Sequence, residues 1–216
     1  MTKAVIFDLD GTLLNTLGDL TAAVNHGRAA CGLPHRTEDE VRSFLGDGVK
    51  ELIARSCPAD AEESTKAAVL AAYLPYYAAH NMDLTAPYEG VMELLTDLRQ
   101  QGVKTAVVSN KHDPAVRTLC AHYFGGLLDL AVGGGNSRPL KPAPNNLLYA
   151  IERLGVTLDN VWYVGDSVQD VMTARNAGVK CAAVTWGFQD PHRLAAENPT
   201  ALANDAEELR KILLSV

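Results

Sequence analysis

Two acidic residues near the start of the chain, Asp8 and Asp10, directly follow an apolar run over 4–7 that predicts a buried strand. Side chains alternate along an extended chain, so the two carboxylates would lie on the same side, and Gly11 marks where the backbone turns away. Close carboxylates repel one another unless a cation lies between them. Because open α/β sheets bind ligands outside the carboxyl ends of their strands, this stretch predicts a metal and a reaction.

Three further strand ends carry polar groups suited to a phosphate. They are Ser109-Asn110 followed by Lys111, Lys141-Pro142 in a loop, and Gly165-Asp166-Ser167 with Asp170 one helical turn beyond Asp166. Taken singly, each is explained as well by a helix cap, an exposed loop or a turn. Together they follow apolar strands, so all four groups would meet at one edge of a parallel sheet.

A cluster of four acids at that edge requires a cation, and Mg²⁺ prefers hard oxygen ligands of this kind. A phosphate would supply the anion that matches Lys141. A carboxylate can accept a phosphoryl group, and a second acid can protonate the leaving group. These residue types therefore predict Mg²⁺-dependent phosphoryl transfer.

Hydrophobic periodicity predicts the elements that position these residues. Helical spacing recurs in four segments, 17–31, 38–45, 49–57 and 61–79, with no strand among them. We therefore expect a small helical unit over 17–81, inserted into a core of 1–16 and 82–216. In the core, strands at 103–109, 128–132, 161–164 and 179–184 alternate with helices at 90–101, 114–122, 145–154 and 168–176, which predicts a parallel sheet.

Composition narrows the classes of protein and partner. The 216 residues are 47% hydrophobic and 21% charged, which is typical of a folded chain. A net charge of −7 without a basic run argues against a nucleic-acid partner.

The short first apolar run is neither a signal peptide nor a membrane span, so a cytoplasmic protein without a membrane partner is expected. The four widely spaced cysteines are interpreted as buried free thiols.

The chain resembles the haloacid dehalogenase superfamily, whose four motifs it carries in order: Asp8-Leu9-Asp10-Gly11-Thr12, Ser109-Asn110, Lys141-Pro142, and Gly165-Asp166-Ser167 with Asp170. The helical insert directly after the first motif resembles the helical-cap subgroup, which includes phosphoglycolate phosphatases. The segment 185–188 also resembles that family, although more weakly than the four motifs do. The resemblance implies an α/β fold, a Rossmann-like three-layer sandwich with a parallel sheet, and a small all-helical cap.

The resemblance also implies catalytic roles, position by position. Asp8 would be the nucleophile, and Asp10 the general acid/base that protonates the leaving oxygen and then activates water. Thr12 would help to orient Asp10 and contribute to substrate binding. Lys141 would neutralise the phosphate and the nucleophile.

Binding roles follow from the same resemblance. Ser109 and Asn110 would bind the phosphoryl oxygens. The protein ligands of Mg²⁺ would be Asp8, the backbone carbonyl of Asp10, and Asp166, with Asp170 supporting them from behind.

Further substrate contacts are predicted in the helical insert. Gly46 and Gly48 precede a helix, where backbone amides could bind an anionic substrate, although a flexible turn explains them equally well. Arg42 and Lys50 could bind a substrate carboxylate, but a solvated surface charge is the commoner role of such residues.

These features predict a phosphatase acting on a small phosphorylated metabolite, with phosphoglycolate as the first substrate to try. Asn15 stands where many relatives carry Asp, but Asn caps a helix about as well, so catalysis is not expected to depend on this position. Gly165 stands where some capped relatives, including sugar phosphomutases, carry an acid, and this difference favours hydrolysis. The enzyme alternatives are a β-phosphoglucomutase-like sugar phosphomutase and a pyrophosphatase. A receiver-like signalling domain is the non-enzyme alternative, and the proton-shuttling Asp10 argues against it. The protein could be a monomer or a homodimer.

Overall fold

The computed structural model describes residues 3–135 and 137–214, and the chain divides into two compact units. The first comprises Met1–Leu14 and Pro87–Val216, and the second comprises Asn15–Ala86. The described strands are β1 (Ala4–Phe7), β2 (Leu14–Asn15), β3 (Ala86–Pro87), β4 (Lys104–His112), β5 (Leu130–Gly134), β6 (Val161–Gly165), β7 (Lys180–Val184) and β8 (Ala201–Ala203). The described α-helices are α1 (Leu17–Ala30), α2 (Glu38–Phe44), α3 (Val49–Ser56), α4 (Glu63–His80), α5 (Val91–Gln100), α6 (Asp113–Phe124), α7 (Asn145–Leu154), α8 (Val168–Ala177), α9 (Pro191–Ala196) and α10 (Ala206–Leu214).

The first unit contains a six-stranded sheet in the order β5-β4-β1-β6-β7-β8, with every neighbouring pair parallel. Strand β1 is central, and its four residues are fully buried. It pairs with Lys104–Val107 on one side and Val161–Val164 on the other. The predicted parallel α/β sheet is confirmed, and its topology brings the carboxyl ends of β1, β4 and β6 side by side.

Amphipathic helices build the core of this unit. In α7 the buried residues Leu147, Ala150, Ile151 and Leu154 recur at helical spacing and pack into a cluster that includes Ile6 and Val108 of the sheet. Helix α7 ends at Gly155, whose φ of 67° is the left-handed conformation that commonly ends a helix. Burial of this apolar face holds the helix against the sheet and fixes the loop before it, which carries Lys141.

The second unit consists of α1 to α4. Helices α1 and α4 come so close that a Cβ at Gly27 would lie 2.6 Å from the carbonyl oxygen of Val69. Helix α2 begins with a capping box, in which Thr37 accepts from the Glu40 N–H and the Glu40 side chain accepts from the Thr37 N–H. Asn15 lies just before α1 and its side chain accepts from the Leu17 N–H at 3.3 Å, the helix-start role that Asn commonly takes.

The second unit extends beyond the predicted span of 17–81. The carboxylate of Asp19 accepts hydrogen bonds from the Leu84 N–H, the Thr85 N–H and the Thr85 hydroxyl, each at 2.7–2.9 Å. These bonds tie the segment after α4 to the first turn of α1, so the unit reaches Ala86. The hydrophobic periodicity of the sequence could not reveal this boundary. The boundary depends on the buried side chain of Asp19, which lies 65 residues before Leu84.

Several elements differ from the sequence prediction. Strand β4 continues to His112 instead of ending at Ser109, and a shift of register between Val108 and His112 accommodates the extension. The elements β8, α9 and α10 were not predicted: β8 has only three residues and α9 only six, whereas α10 does carry a helical spacing of buried residues in Ala206, Leu209 and Leu213. Cys57, Cys120 and Cys181 are buried free thiols, whereas Cys31 is half-buried. Among the described helices, none combines the length and the apolar character needed to cross a membrane.

Candidate active site

The turn after β1 places the first pair of acids. Asp8 is held by its own N–H, which donates to the Val164 carbonyl of β6 at 2.8 Å. Gly11 has a φ of 81°, and a Cβ there would lie 2.2 Å from a carboxylate oxygen of Asp166. Glycine is therefore required at position 11 both by the backbone conformation and by the close approach of Asp166.

Three carboxylates meet at the carboxyl edge of the sheet. Asp8 follows β1, Asp166 follows β6, and Asp170 lies in the first turn of α8; one oxygen of each lies within 4.8 Å of the others, and all three residues are buried. The edge predicted from the strand ends thus gathers these acids.

Lys141 is the cation that contacts this group. Its ammonium lies 2.8 Å from Asp8 Oδ2 and 2.7 Å from Asp170 Oδ1, and its side chain is 2% exposed. Burial alone would lower the pKa of the Lys141 ammonium, but the carboxylates of Asp170 and Asp8 outweigh burial and raise it. Lys141 therefore stays charged in this site.

The Asp170 carboxylate is hydrogen-bonded through both oxygens. Oδ1 accepts from Lys141 and lies 3.0 Å from the Tyr163 hydroxyl, while Oδ2 accepts from the Ser167 N–H and hydroxyl. These bonds hold Asp170 in place behind Lys141. The predicted role of Asp170 in supporting the Mg²⁺ ligands stays a prediction.

Tyr163 contacts the site as well as the core. Its ring belongs to the buried core, but its hydroxyl lies 3.0 Å from both the Val108 carbonyl oxygen and Asp170 Oδ1. Burial, followed by the Asp170 carboxylate, raises the pKa of the Tyr163 phenol well above its usual value, so the phenol stays protonated and has one hydrogen to donate. Its position in an apolar strand gave no signal of this contact.

Asp166 is held by residues from both ends of the core sequence. Oδ1 accepts from the Thr12 hydroxyl at 3.0 Å, and Oδ2 accepts from the Phe188 N–H at 2.8 Å. A Cβ at Gly187 would lie 2.2 Å from the Asp166 Cβ, so the segment 186–188 wraps closely around this acid. The indole N–H of Trp186 donates to the Thr12 carbonyl at 3.1 Å.

Thr12 was predicted to orient Asp10 and to bind substrate. Its side chain is instead directed to Asp166 and the residue is 1% exposed, because the turn at Gly11 brings position 12 next to the loop after β6. The described contacts of the Thr12 side chain thus support Asp166, and orientation of Asp10 falls to another residue.

The electrostatics of the acids indicate that positive charge is lacking. Burial raises the pKa of Asp8 to about 6, opposed by Lys141 and reinforced by Asp170. Burial, followed by the charges of Asp170 and Asp8, raises the pKa of Asp166 well above its usual value. One ammonium does not balance three buried carboxylates, and a hard divalent cation would do so. The carboxylate oxygens of Asp8 and Asp166, which lie within 4.8 Å of each other, therefore fit such an ion.

Near the end of β4, the Asn110 side chain contacts the loop that carries Lys141. Its Oδ1 accepts from the Lys141 N–H at 2.7 Å and its Nδ2 donates to the Lys141 carbonyl at 3.1 Å. The side chain thus fixes the backbone of Lys141, and its expected contact with phosphoryl oxygens stays a prediction. Ser109 is buried beside it, and its Oγ accepts from the Lys111 N–H at 3.3 Å.

Lys111 is the site residue to which sequence reasoning assigned no role. Its ammonium lies 2.9 Å from Asp10 Oδ1, and the two side chains are 7% and 20% exposed. One feature of the sequence could have identified Lys111 as a site residue: it directly follows Ser109-Asn110, at the end of a strand that neighbours β1.

The predicted substrate residues of the helical insert belong to the second unit. Gly46 and Gly48 have φ values of 115° and 85° and stand before α3, where Asp47 forms an ion pair with Arg55. Arg42 forms an exposed ion pair with Asp39 at 3.0 Å, and Lys50 is exposed.

The fold and this edge of the sheet define a class of enzyme. Residues 5–184 match the family model of the haloacid dehalogenase-like hydrolases, and the chain belongs to that family. It is 35% identical over 216 residues to "Phosphoglycolate phosphatase 1" of Pseudomonas aeruginosa, with 97% of this chain and 79% of the relative aligned.

Solved structures resemble the whole chain. A presumed phosphoglycolate phosphatase from Lactobacillus delbrueckii subsp. bulgaricus superposes with a TM-score of 0.94 at 35% identity, covering 100% of both chains. A predicted phosphoglycolate phosphatase from Haemophilus somnus superposes with a TM-score of 0.91 at 28% identity, covering 98% of this chain and 97% of the other.

Proposed function

We propose that this hydrolase is a Mg²⁺-dependent phosphatase that hydrolyses a small phosphomonoester, with phosphoglycolate as the foremost candidate, through an aspartyl-phosphate on Asp8. The observation that carries the proposal is the position of Asp8, whose carboxylate lies 2.8 Å from the Lys141 ammonium and close to two further buried acids. The names of the similar proteins support the choice of substrate.

In the first step an Asp8 oxygen attacks phosphorus, and the bond from phosphorus to the ester oxygen breaks. Asp10 gives its proton to the departing oxygen, so the alcohol leaves neutral. Lys141, fixed through its backbone by Asn110, compensates the negative charge on the transferring phosphoryl group. A Mg²⁺ ion held by Asp8, Asp166 and the Asp10 carbonyl would supply Lewis-acid neutralisation of that charge.

In the second step water attacks the aspartyl-phosphate. Asp10, now a carboxylate, takes the proton of the attacking water, and the bond between the Asp8 oxygen and phosphorus breaks. Inorganic phosphate and the free Asp8 carboxylate result. Tyr163 and Ser167 keep Asp170 in place throughout, so that Lys141 remains between Asp170 and Asp8.

One contact bears on the sugar-phosphomutase alternative. A Cβ at Gly165 would lie 2.2 Å from the Asp170 Cγ, so an acidic side chain at this position would displace the residue that holds Lys141. Position 165 therefore suits glycine and not a larger side chain, which supports hydrolysis over the mutase reaction.

The proposal is tested with purified wild-type protein and Asp8→Asn prepared identically. With Mg²⁺, wild type should release phosphate from phosphoglycolate faster than from pyrophosphate, and glucose 1-phosphate should lose phosphate to solution instead of becoming glucose 6-phosphate. Acid-quenched wild type should carry a hydroxylamine-sensitive phosphoryl group that Asp8→Asn lacks. Substantial hydrolysis by Asp8→Asn would show that another group is the nucleophile.

A further inference from the structure

The ion pair between Lys111 and Asp10 has no part in the mechanism described above. It joins the residue after the Ser109-Asn110 motif to the acid two positions beyond the nucleophile. At 2.9 Å, with the Lys111 side chain 7% exposed, it differs from the solvent-exposed pairs elsewhere on the described surface, such as Arg42 with Asp39. A buried lysine needs a partner, and here the partner is the proposed proton donor.

The fold explains why these two side chains meet. Strands β1 and β4 are parallel neighbours, and Phe7 pairs with Val107. Asp10 lies three residues beyond Phe7, and Lys111 lies four residues beyond Val107, so both stand just past the same edge. The chain bends after each paired residue, through the Gly11 turn and through the irregular register of β4 after Val108.

We propose that Lys111 is a positioning residue: its ammonium holds the Asp10 carboxyl group through Oδ1, so that the other oxygen, when protonated, is placed to give its proton to the leaving-group oxygen. The inference rests on the proposed function, since it assigns Asp10 the same proton transfer. A carboxylate on a short side chain rotates unless a partner restrains it, and Lys111 restrains it through Oδ1. Thr12, which the family resemblance implied would orient Asp10, is directed to Asp166 instead.

This role predicts a dependence on the leaving group that a purely structural lysine would not produce. An alkyl phosphate loses a strongly basic alkoxide, so the bond breaks only with a proton from Asp10. A nitrophenyl phosphate loses a stable phenolate and hardly needs that proton. The ratio of kcat/KM for the two esters reports the first chemical step and is unaffected by a partly unfolded preparation, since misfolding lowers both values equally.

The experiment measures kcat/KM of wild type, Lys111→Met and Lys111→Gln with ethyl phosphate and p-nitrophenyl phosphate. Neither ester carries a carboxylate, so loss of a contact with a substrate carboxylate does not contribute, and loss of a contact with the phosphoryl group, which both esters share, would lower both values together. General acid catalysis contributes about 10²- to 10⁴-fold, and loss of positioning should remove about 10- to 100-fold for ethyl phosphate. The value for p-nitrophenyl phosphate should change less than about threefold. Lys104→Met, on the same strand at the opposite end of the sheet, is the matched control and should leave the ratio unchanged.

A double-mutant cycle then asks whether Lys111 acts through Asp10. If it does, adding Lys111→Met to Asp10→Asn should lower kcat/KM for ethyl phosphate little further, because the group to be positioned is already gone. Equal losses on both esters, or full additivity with Asp10→Asn, would overturn the inference while leaving the phosphatase proposal standing. A wild-type protein that releases no phosphate from either ester contradicts the proposed function and removes the basis of the inference with it.

Discussion

The side chain of Asn110 makes two hydrogen bonds to the backbone of Lys141, accepting from its N–H at 2.7 Å and donating to its carbonyl at 3.1 Å. A residue at the end of β4 thereby fixes the loop that follows β5. The position of the Lys141 ammonium between Asp8 and Asp170 depends on that loop.

Removal of this anchor should impair both catalysis and folding. Asn110→Ala deletes two hydrogen bonds to buried groups, each costing about 1–3 kcal/mol of unfolding free energy. A displacement of Lys141 by about 1 Å should lower kcat about 100-fold. Steady-state kinetics and urea unfolding measure both quantities.

Asn160→Ala is the control for this change, because that exposed amide bonds Thr157 just before β6, at the other end of the sheet. Its kcat should stay near that of wild type. Similar losses of kcat in the two variants would contradict the anchoring role of Asn110.

An acidic residue at position 165 should not convert the enzyme to a mutase. In Gly165→Glu the new Cβ would fall 2.2 Å from Asp170 Cγ, so Asp170 must move and Lys141 lose one partner. We expect phosphatase activity to fall about 100-fold, as misplacement of a catalytic group typically does. No glucose 6-phosphate should form from glucose 1-phosphate in a coupled dehydrogenase assay.

Gly102→Ala is the control for loss of a glycine at a position where a side chain has room. Gly102 has a φ of 70° but a Cβ there would meet nothing within 4 Å. It should lose about 1 kcal/mol of stability and keep its activity. A fully active Gly165→Glu variant would show that Asp170 has more room than its contacts indicate.

Binding of Mg²⁺ should stabilise the folded protein, since the ion would relieve the repulsion among Asp8, Asp166 and Asp170. At a free concentration 100 times Kd the gain in unfolding free energy is about 2.7 kcal/mol, visible as a rise in Tm relative to the protein in chelator. Activity should vanish in chelator and return with Mg²⁺.

Asp166→Asn should lose most of the Mg²⁺-dependent rise in Tm, whereas Asp129→Asn, at the start of β5, should keep it. A rise in Tm that persists undiminished in Asp166→Asn would place the cation elsewhere.

The metal-free protein should become less stable as pH rises from about 4 to about 6. Burial, partly opposed by Lys141, raises the pKa of Asp8 from 3.8 to about 6, so in this window the folded protein still holds a proton that the unfolded chain has released. The unfolding free energy therefore falls with increasing pH. Urea titrations in chelator across this range measure the slope.

Asp8→Asn cannot release this proton, so its slope over the same range should be shallower. An identical slope in wild type and Asp8→Asn would assign the effect to other groups.

The sequence was sufficient to predict the parallel sheet and the strand ends that carry Asp8, Asp10, Lys141 and Asp166. Apolar strands that alternate with amphipathic helices leave few topologies open, and a parallel sheet brings its carboxyl ends to one edge. The same reasoning located most helices to within two residues, because the spacing of buried side chains is a local property.

What each polar side chain binds was decided only by the tertiary structure. Thr12 binds Asp166, Asn110 binds the backbone of Lys141, and Lys111 binds Asp10, across separations of 154, 31 and 101 residues. Such pairs depend on strand order and on the bend of the chain after each strand, neither of which a local pattern encodes. The sequence alone therefore determined which groups reach the site, and the folded chain determined which of them face one another.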